Sequence, residues 1–222
     1  MIKQAIIPLA GLGTRLMPLT SVIPKELLPI NGKPVLEYII NECIDAGIKE
    51  IVFIISKKKM MIKKYFYNDK FYNDLIKKKK DPRIIKEYNK ILRYRKMIKF
   101  VYQNNPKGTG DAVFKAKKYI NEKYFLMLLP DDLIIKNNCS KSLIDTHKRY
   151  KSSVMASMSV NKKTVSRWGI YKLSKQLNKK DYLINGVVEK PKIKDAPSNK
   201  AVIGRYILPN TIFSKLKNMK PG

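Results

Sequence analysis

Histidine is almost missing from this sequence: His147 is the only one in 222 residues. A Ser-His-Asp triad, a Cys-His pair and a histidine-based zinc site all need an imidazole beside a nucleophile or a metal. His147 falls in a polar helical stretch and is expected at the surface, so none of these chemistries is available. Cysteine is scarce as well. Cys43 and Cys139 lie far apart with no CxxC partner, which reads as two buried free thiols in a reducing cytosol. No run of about 18 apolar residues occurs, so no membrane span is expected. The N-terminus enters an apolar strand almost at once and leaves no room for a signal peptide, which points to a cytoplasmic protein.

Acidic residues are few. There are 17 Asp and Glu against 47 Lys and Arg, a formal net charge of +30. That surplus invites a nucleic-acid partner, but 40 of the cations are Lys and only 7 are Arg, the side chain suited to bidentate recognition of phosphate and bases. Lysine is in excess together with Ile, Asn and Tyr, the drift expected of an AT-rich coding sequence. No nucleic-acid partner is expected. The charge should still draw phosphorylated small molecules to the surface.

What the chain does have is alternation. Residues 4–7 and 9–10 read as a buried strand, and residues 34–47 as an amphipathic helix with Pro34 in its first turn and Gly47 at its end. Glu50 to Ile55 is a continuous apolar run, as in a strand covered on both faces. Between 57 and 97 the chain is rich in Lys and Tyr. Helices are expected near 58–67 and 83–94, a loop at Asp81-Pro82, and a solvated turn at Lys77 to Lys80. Strands follow at 99–103, 124–129 and 153–160, with helices from Asp111 to about Ile120 and from Ser142 to about Lys151. This pattern predicts an α/β fold: a mostly parallel central sheet, Rossmann-like, in three layers. From about residue 161 short strands take over, near 169–171, 186–191 and 201–208, and an incipient helix at 211–217 precedes Pro221-Gly222. The chain is therefore expected to be a single domain, with a core at 1–160, which the loops read below make the nucleotide-binding part, and a smaller substrate-side β portion at 161–222.

The chemistry concentrates in the first loop, Leu9-Ala10-Gly11-Leu12-Gly13-Thr14-Arg15-Leu16, and its tail Pro24-Lys25-Glu26-Leu27-Leu28-Pro29. Glycines let backbone N–H groups approach an anion, and Arg15 and Lys25 add full positive charge. A dinucleotide fingerprint would need a third glycine where Leu16 stands and an acid ending the second strand, which instead reads Ile55-Ser56-Lys57. This weighs against a nicotinamide-dependent oxidoreductase. The Walker pattern G-x-x-x-x-G-K-[ST] is absent too. Further on, Gln103 to Gly110 forms a second glycine-bearing loop, and Asp131-Asp132 ends the most apolar strand. Asp131 there could take up Mg²⁺, a hard cation that binds one or two carboxylates and completes its shell with phosphate oxygens and water. In an open α/β sheet all these loops share the carboxyl edge of the strands, where ligands bind.

Taken together, the first loop with Pro18 and Thr20, Pro24-Lys25-Glu26, Leu129-Pro130-Asp131-Asp132, Val188-Glu189-Lys190-Pro191 and Gly204-Arg205-Tyr206 resemble the signature of the sugar-nucleotide pyrophosphorylases. Within that superfamily they are similar to the bacterial UTP–glucose-1-phosphate uridylyltransferases. Thymidylyl relatives usually carry Gln at the position of Glu26 and Gly-Asp-Asn near Asp131. The resemblance covers nearly the whole chain in order. It implies a Mg²⁺-assisted enzyme joining UTP and glucose 1-phosphate into UDP-glucose and pyrophosphate.

The resemblance also implies roles. Ala10 and Gly11 would contact the base through their backbone, beside Gly13, with Gln103 and Gly108 completing the pocket and Glu26 on the nucleotide side. Arg15 and Lys25 would hold the triphosphate, and Asp131 the metal. Gly169 and Glu189 would bind the glucose hydroxyls, and Lys190 the sugar phosphate. Full-length relatives continue with an Asp-Glu-Ile-Gln-Leu-Thr-Asp-like segment and further helices, so the chain is expected to be truncated at its C-terminus. The alternatives are a catalytically impaired remnant of that enzyme or a thymidylyltransferase-type relative. Oligomer contacts in the family often lie in that further part, so the resemblance allows a homo-oligomer in full-length relatives and does not support one for this chain.

Overall fold

The computed structural model describes residues 2–67, 70–105 and 107–219. Pro106 of the second glycine-bearing loop and the closing Pro221-Gly222 lie outside the described residues. Strands are β1 (Gln4–Pro8), the short pair β2 (Pro29–Ile30) and β3 (Lys33–Pro34), β4 (Glu50–Ile55), β5 (Ile98–Tyr102), β6 (Tyr124–Leu128), β7 (Val154–Ser159), β8 (Gly169–Gln176), β9 (Tyr182–Glu189) and β10 (Lys200–Pro209). Helices are α1 (Val35–Asp45), α2 (Met60–Phe66), α3 (Lys70–Lys79), α4 (Pro82–Met97), α5 (Thr109–Lys115), α6 (Cys139–Tyr150) and α7 (Ile212–Lys217).

Among the described residues, eight strands join one sheet in the order β5-β4-β1-β6-β10-β8-β9, with β7 also paired to β10. Its centre, β5-β4-β1-β6, is parallel. Antiparallel β10 then lies against β6 and carries the sheet on into β8 and β9. The strands after residue 161 thus continue the sheet begun by the earlier ones.

Period-two alternation sorts the apolar residues onto two faces. Ile7, Phe53, Ile55, Leu126 and Leu128 face a layer built by α1, α2, α4 and α6, through Leu36, Ile40, Ile62, Phe66, Ile91 and Leu143. Ile6, Val52, Ile54, Phe125 and Met127 face the opposite layer of α5 and α7, where Phe125 stacks on Phe213 at 5.3 Å. Because the parallel strands are covered on both sides, they read as continuous apolar runs. The expected three-layer α/β architecture is borne out.

Local signals explain most boundaries. Gly47, at φ 87°, ends α1, and the Ile48 N–H donates to the Cys43 carbonyl at 3.0 Å in a Schellman-type close. Asp81 caps α4 by accepting from the Arg83 N–H, with Pro82 in the first turn. Asn138 caps α6 by accepting from the Lys141 N–H at 2.7 Å.

Four details differ from expectation. The opening strand stops at Pro8, and Leu9 and Ala10 are buried without belonging to it. The expected helix to Ile120 ends at Lys115 and is followed by a 3-10 turn at Lys117–Tyr119. Lys77 to Lys79 form the last turn of α3, a helix with no buried residue, and only Lys80 lies in the turn. His147 is half-buried, packed 4.4 Å from the Tyr124 ring.

Both cysteines are free, Cys43 buried and Cys139 half-buried. Burial, reinforced by the Glu42 charge, pushes the Cys43 thiol up and the Cys139 thiol up to about 11. The thiolate is the reactive form. Native protein at pH 8 is therefore expected to label with iodoacetamide at Cys139 at least about tenfold more slowly than urea-unfolded chain, as followed by mass spectrometry. Equal rates would contradict this packing.

Candidate active site

Four parallel strands bring their carboxyl ends to one edge, and the loops leaving β1, β5 and β6 enclose a cleft of about 270 Å³ there. Ladder bonds run on past the strands: the Leu9 N–H donates to the Ile54 carbonyl at 2.7 Å, the Gln103 N–H to Ile55 at 2.8 Å and the Leu129 N–H to Gly204 at 2.8 Å. These bonds set each loop at a fixed height above the sheet. Lining the cleft are Pro8, Ala10, Gly11, Lys25, Glu26, Gln103, Gly108, Thr109, Ala112, Leu129, Pro130 and Asp131. Residues separated by as many as 123 positions in sequence, from Pro8 to Asp131, meet here.

Gly13 packs below Lys25, where an added Cβ would come 3.4 Å from the Lys25 Cδ and 3.2 Å from the Thr20 Cγ2. Its carbonyl accepts from the Thr20 hydroxyl at 2.9 Å, which ties down the loop. Arg15 stands on the exposed 3-10 turn Thr14–Leu16, beside the cleft and not in its lining.

At the cleft wall the Lys25 ammonium pairs with Asp131. The Asp131 side chain is 60% exposed, so its carboxylate is open to a ligand from solvent. A cation already sits against that carboxylate, which suits the donor chemistry of a hard divalent ion with one protein carboxylate. Among the described residues no group of three or more His, Cys, Asp and Glu gathers at one point. The rest of such an ion's shell would have to come from phosphate oxygens and water.

Glu26 is almost wholly buried, and both its oxygens accept from Lys59 Nζ, at 2.7 and 2.9 Å. Burial pulls the Lys59 ammonium below the ordinary lysine range, and Glu26 works against that shift. The Glu26 carboxylate is thus tied to Lys59 in the cleft floor. Nothing in the run Lys57-Lys58-Lys59 singled out Lys59 as the partner. Gln103 is likewise buried, and its amide donates to the Asp111 carboxylate at 2.6 Å and to the Gly108 carbonyl at 3.4 Å. Asp111 had not been anticipated; its position in the first turn of α5, eight residues after Gln103, is the signal that could have found it.

Gly169, Glu189 and Lys190 form a second cluster, outside the cleft lining. Gly169 and Glu189 are register partners across β8 and β9, and a Cβ on Gly169 would lie 3.0 Å from a Glu189 carboxylate oxygen. The missing side chain lets the carboxylate lie over the strand. Lys190 follows at φ 44°, a left-handed conformation that costs a side chain roughly 1–2 kcal/mol. Its N–H donates to the Trp168 carbonyl at 3.0 Å, and its ammonium stands 3.7 Å from Glu189.

Burial raises the phenol of Tyr206 on β10, and the Asp132 and Glu189 carboxylates push the same way against the Arg205 guanidinium. His147, in contrast, packs on the first residue of β6, at the opposite edge of the sheet.

A family model described as nucleotidyl transferase matches residues 4–222. A UTP–glucose-1-phosphate uridylyltransferase of Staphylococcus saprophyticus is 37% identical over 222 residues, spanning all of this chain and 76% of that protein. Among solved structures, a UDP-glucose pyrophosphorylase complexed with UDP-glucose superposes with a TM-score of 0.86 at 34% identity, covering 100% of this chain and 81% of that one. A UTP-bound UGPase from Acinetobacter baumannii superposes with a TM-score of 0.90 at 32% identity, covering 98% of this chain and 78% of the other.

Proposed function

Since this chain belongs to the nucleotidyl transferase family, we propose that it joins UTP to glucose 1-phosphate, forming UDP-glucose and releasing pyrophosphate, with Mg²⁺ as the divalent cation. In this reading residues 1–160 supply the nucleotide half of the site and residues 161–222 the sugar-phosphate half. A phosphate oxygen of the sugar attacks the α-phosphorus, the new P–O bond forms, and the bond to the β-phosphate oxygen breaks. The nucleophile is already an anion, so no general base is needed. A sequence with one histidine, packed at the far edge of the sheet, suits that chemistry.

The difficulty is charge, since one anion must approach another. Lys25, and Arg15 on the adjoining turn, are assigned to the triphosphate and the departing pyrophosphate, and Lys190 to the sugar phosphate. Ala10, Gly11 and Gly13 would present backbone groups to the nucleotide, with Gln103 and Gly108 at the base. Glu26 acts there through the Lys59 pair that holds the floor. Gly169 and Glu189 would meet the sugar hydroxyls. Asp131 would hold the metal, which when bound offsets negative charge on the phosphate oxygens.

The observation that carries this reading is the convergence of Ala10, Gly11, Lys25, Gln103, Gly108 and Asp131 on one cleft. A cytoplasmic setting accords with the two free thiols. Incubation with UTP, glucose 1-phosphate and Mg²⁺ is expected to yield UDP-glucose on anion-exchange chromatography, with dTTP a poor replacement. Equal use of dTTP would move the assignment to a thymidylyl-type activity.

A further inference from the structure

Two adjacent acids stand in the loop after β6, and they face opposite fates. Asp131 points outward into the cleft, whereas the Asp132 carboxylate turns back and accepts from the Gly204 N–H at 2.7 Å. Beside it Arg205, the largest fully buried side chain among the described residues, lies at 0% exposure under the same loop. We propose that Arg205, fixed by Glu42 and assisted by Asp132, is the positioning residue that sets the Asp131 loop for the metal–nucleotide complex.

A guanidinium has five N–H donors in a planar fork, and all five are used. Nε donates to Glu42 at 3.0 Å, and one terminal nitrogen donates to the Leu129 and Gly204 carbonyls at 3.0 Å each. The other donates to Glu42 at 2.8 Å and to the Asp132 carbonyl at 2.8 Å. The loop is therefore gripped at both ends, Leu129 and Asp132, and only Pro130 and Asp131 stand between. Pro130 fixes its own φ and needs no N–H partner. The grip also requires glycine at 204, because a Cβ there would lie 2.5 Å from the Leu129 Cβ. Glu42 is held in turn by the Ser140 N–H at 3.1 Å and the Ser140 hydroxyl at 2.6 Å, which ties α1 to the start of α6. Opposite charges on Arg205 and Glu42 cancel, so the device acts on the cleft by geometry and not by field.

The inference rests on the reading of Asp131 as a metal ligand, and its test separates the two. UTP binding is measured by calorimetry with and without Mn²⁺, and the factor by which the metal tightens binding is the readout. In Arg205→Lys, which keeps the charge but loses the fork, that factor is expected to collapse toward one while metal-free UTP affinity stays within about twofold. In Asp132→Ala, half-exposed and milder, it is expected to fall at least about threefold. A lowered Tm with an unchanged metal factor would show Arg205 to be structural only and overturn the proposal. Should Arg205→Lys not fold, Asp132→Ala decides alone by the same threshold. Should the parent chain show no metal effect, the reading of the nucleotide site fails. Amide exchange then judges the loop: about tenfold faster exchange across residues 129–132 in Asp132→Ala supports the device, and unchanged exchange overturns it.

Discussion

Asp131→Asn is expected to lower kcat about a thousandfold, roughly 4 kcal/mol of transition-state stabilisation, with little change in Tm. The substitution keeps the shape and removes the charge. Stability should hardly move, because the Lys25–Asp131 pair joins a side chain 60% exposed to one 23% exposed, and such a pair contributes at most about 1 kcal/mol. Activity should collapse because, among the described residues, the other carboxylates beside Asp131 at the cleft are already committed. The Asp132 carboxylate is committed to the Gly204 N–H, and that of Glu26 to Lys59. Raising Mg²⁺ should recover only part of the loss. Steady-state kinetics over a Mg²⁺ series checks this, and a variant with parental kcat would remove Asp131 from the metal role.

Lys190→Ala should lose about a hundredfold in kcat/KM for glucose 1-phosphate, with KM for UTP within about twofold. The split follows from placement, since Lys190 lies in the second cluster with Glu189 and Gly169 and does not line the nucleotide cleft. Alanine retains the Cβ, so the left-handed backbone at φ 44° is strained equally in both proteins. Its N–H to Trp168 bond is retained too. Any loss can then be assigned to the ammonium. Unchanged kcat/KM for glucose 1-phosphate would dismiss Lys190 as a surface lysine.

Particular residues show what could be seen in the sequence. The central strands were legible because parallel strands covered on both faces must be apolar, as Ile51 to Ile55 and Tyr124 to Leu128 are. The first loop and Asp131 were legible because glycines, cations and an acid at strand ends are rare companions. α3 was not, since its apolar residues Phe71, Tyr72, Leu75 and Ile76 are few and unburied, and its run of lysines looks like a turn. Gln4 is a quieter case. It is polar yet buried in β1, where its amide donates to the Tyr119 carbonyl and accepts from the Asn121 and Glu122 N–H groups. The Glu42–Arg205 pair spans 163 residues and exists only because β10 folds back beside β6 over α1. No local pattern encodes such a pair. Gly204-Arg205-Tyr206 could be recognised as a motif, but its physical purpose needed the sheet order.

The central claim is that one site joins a nucleoside triphosphate to a sugar phosphate, and pyrophosphate release measures it most directly. Purified chain with UTP, glucose 1-phosphate and Mg²⁺ should release pyrophosphate in step with UDP-glucose. Omission of any one of the three should reduce release at least about a hundredfold. Release that persists without glucose 1-phosphate, or no release from folded protein with all three present, would contradict the account.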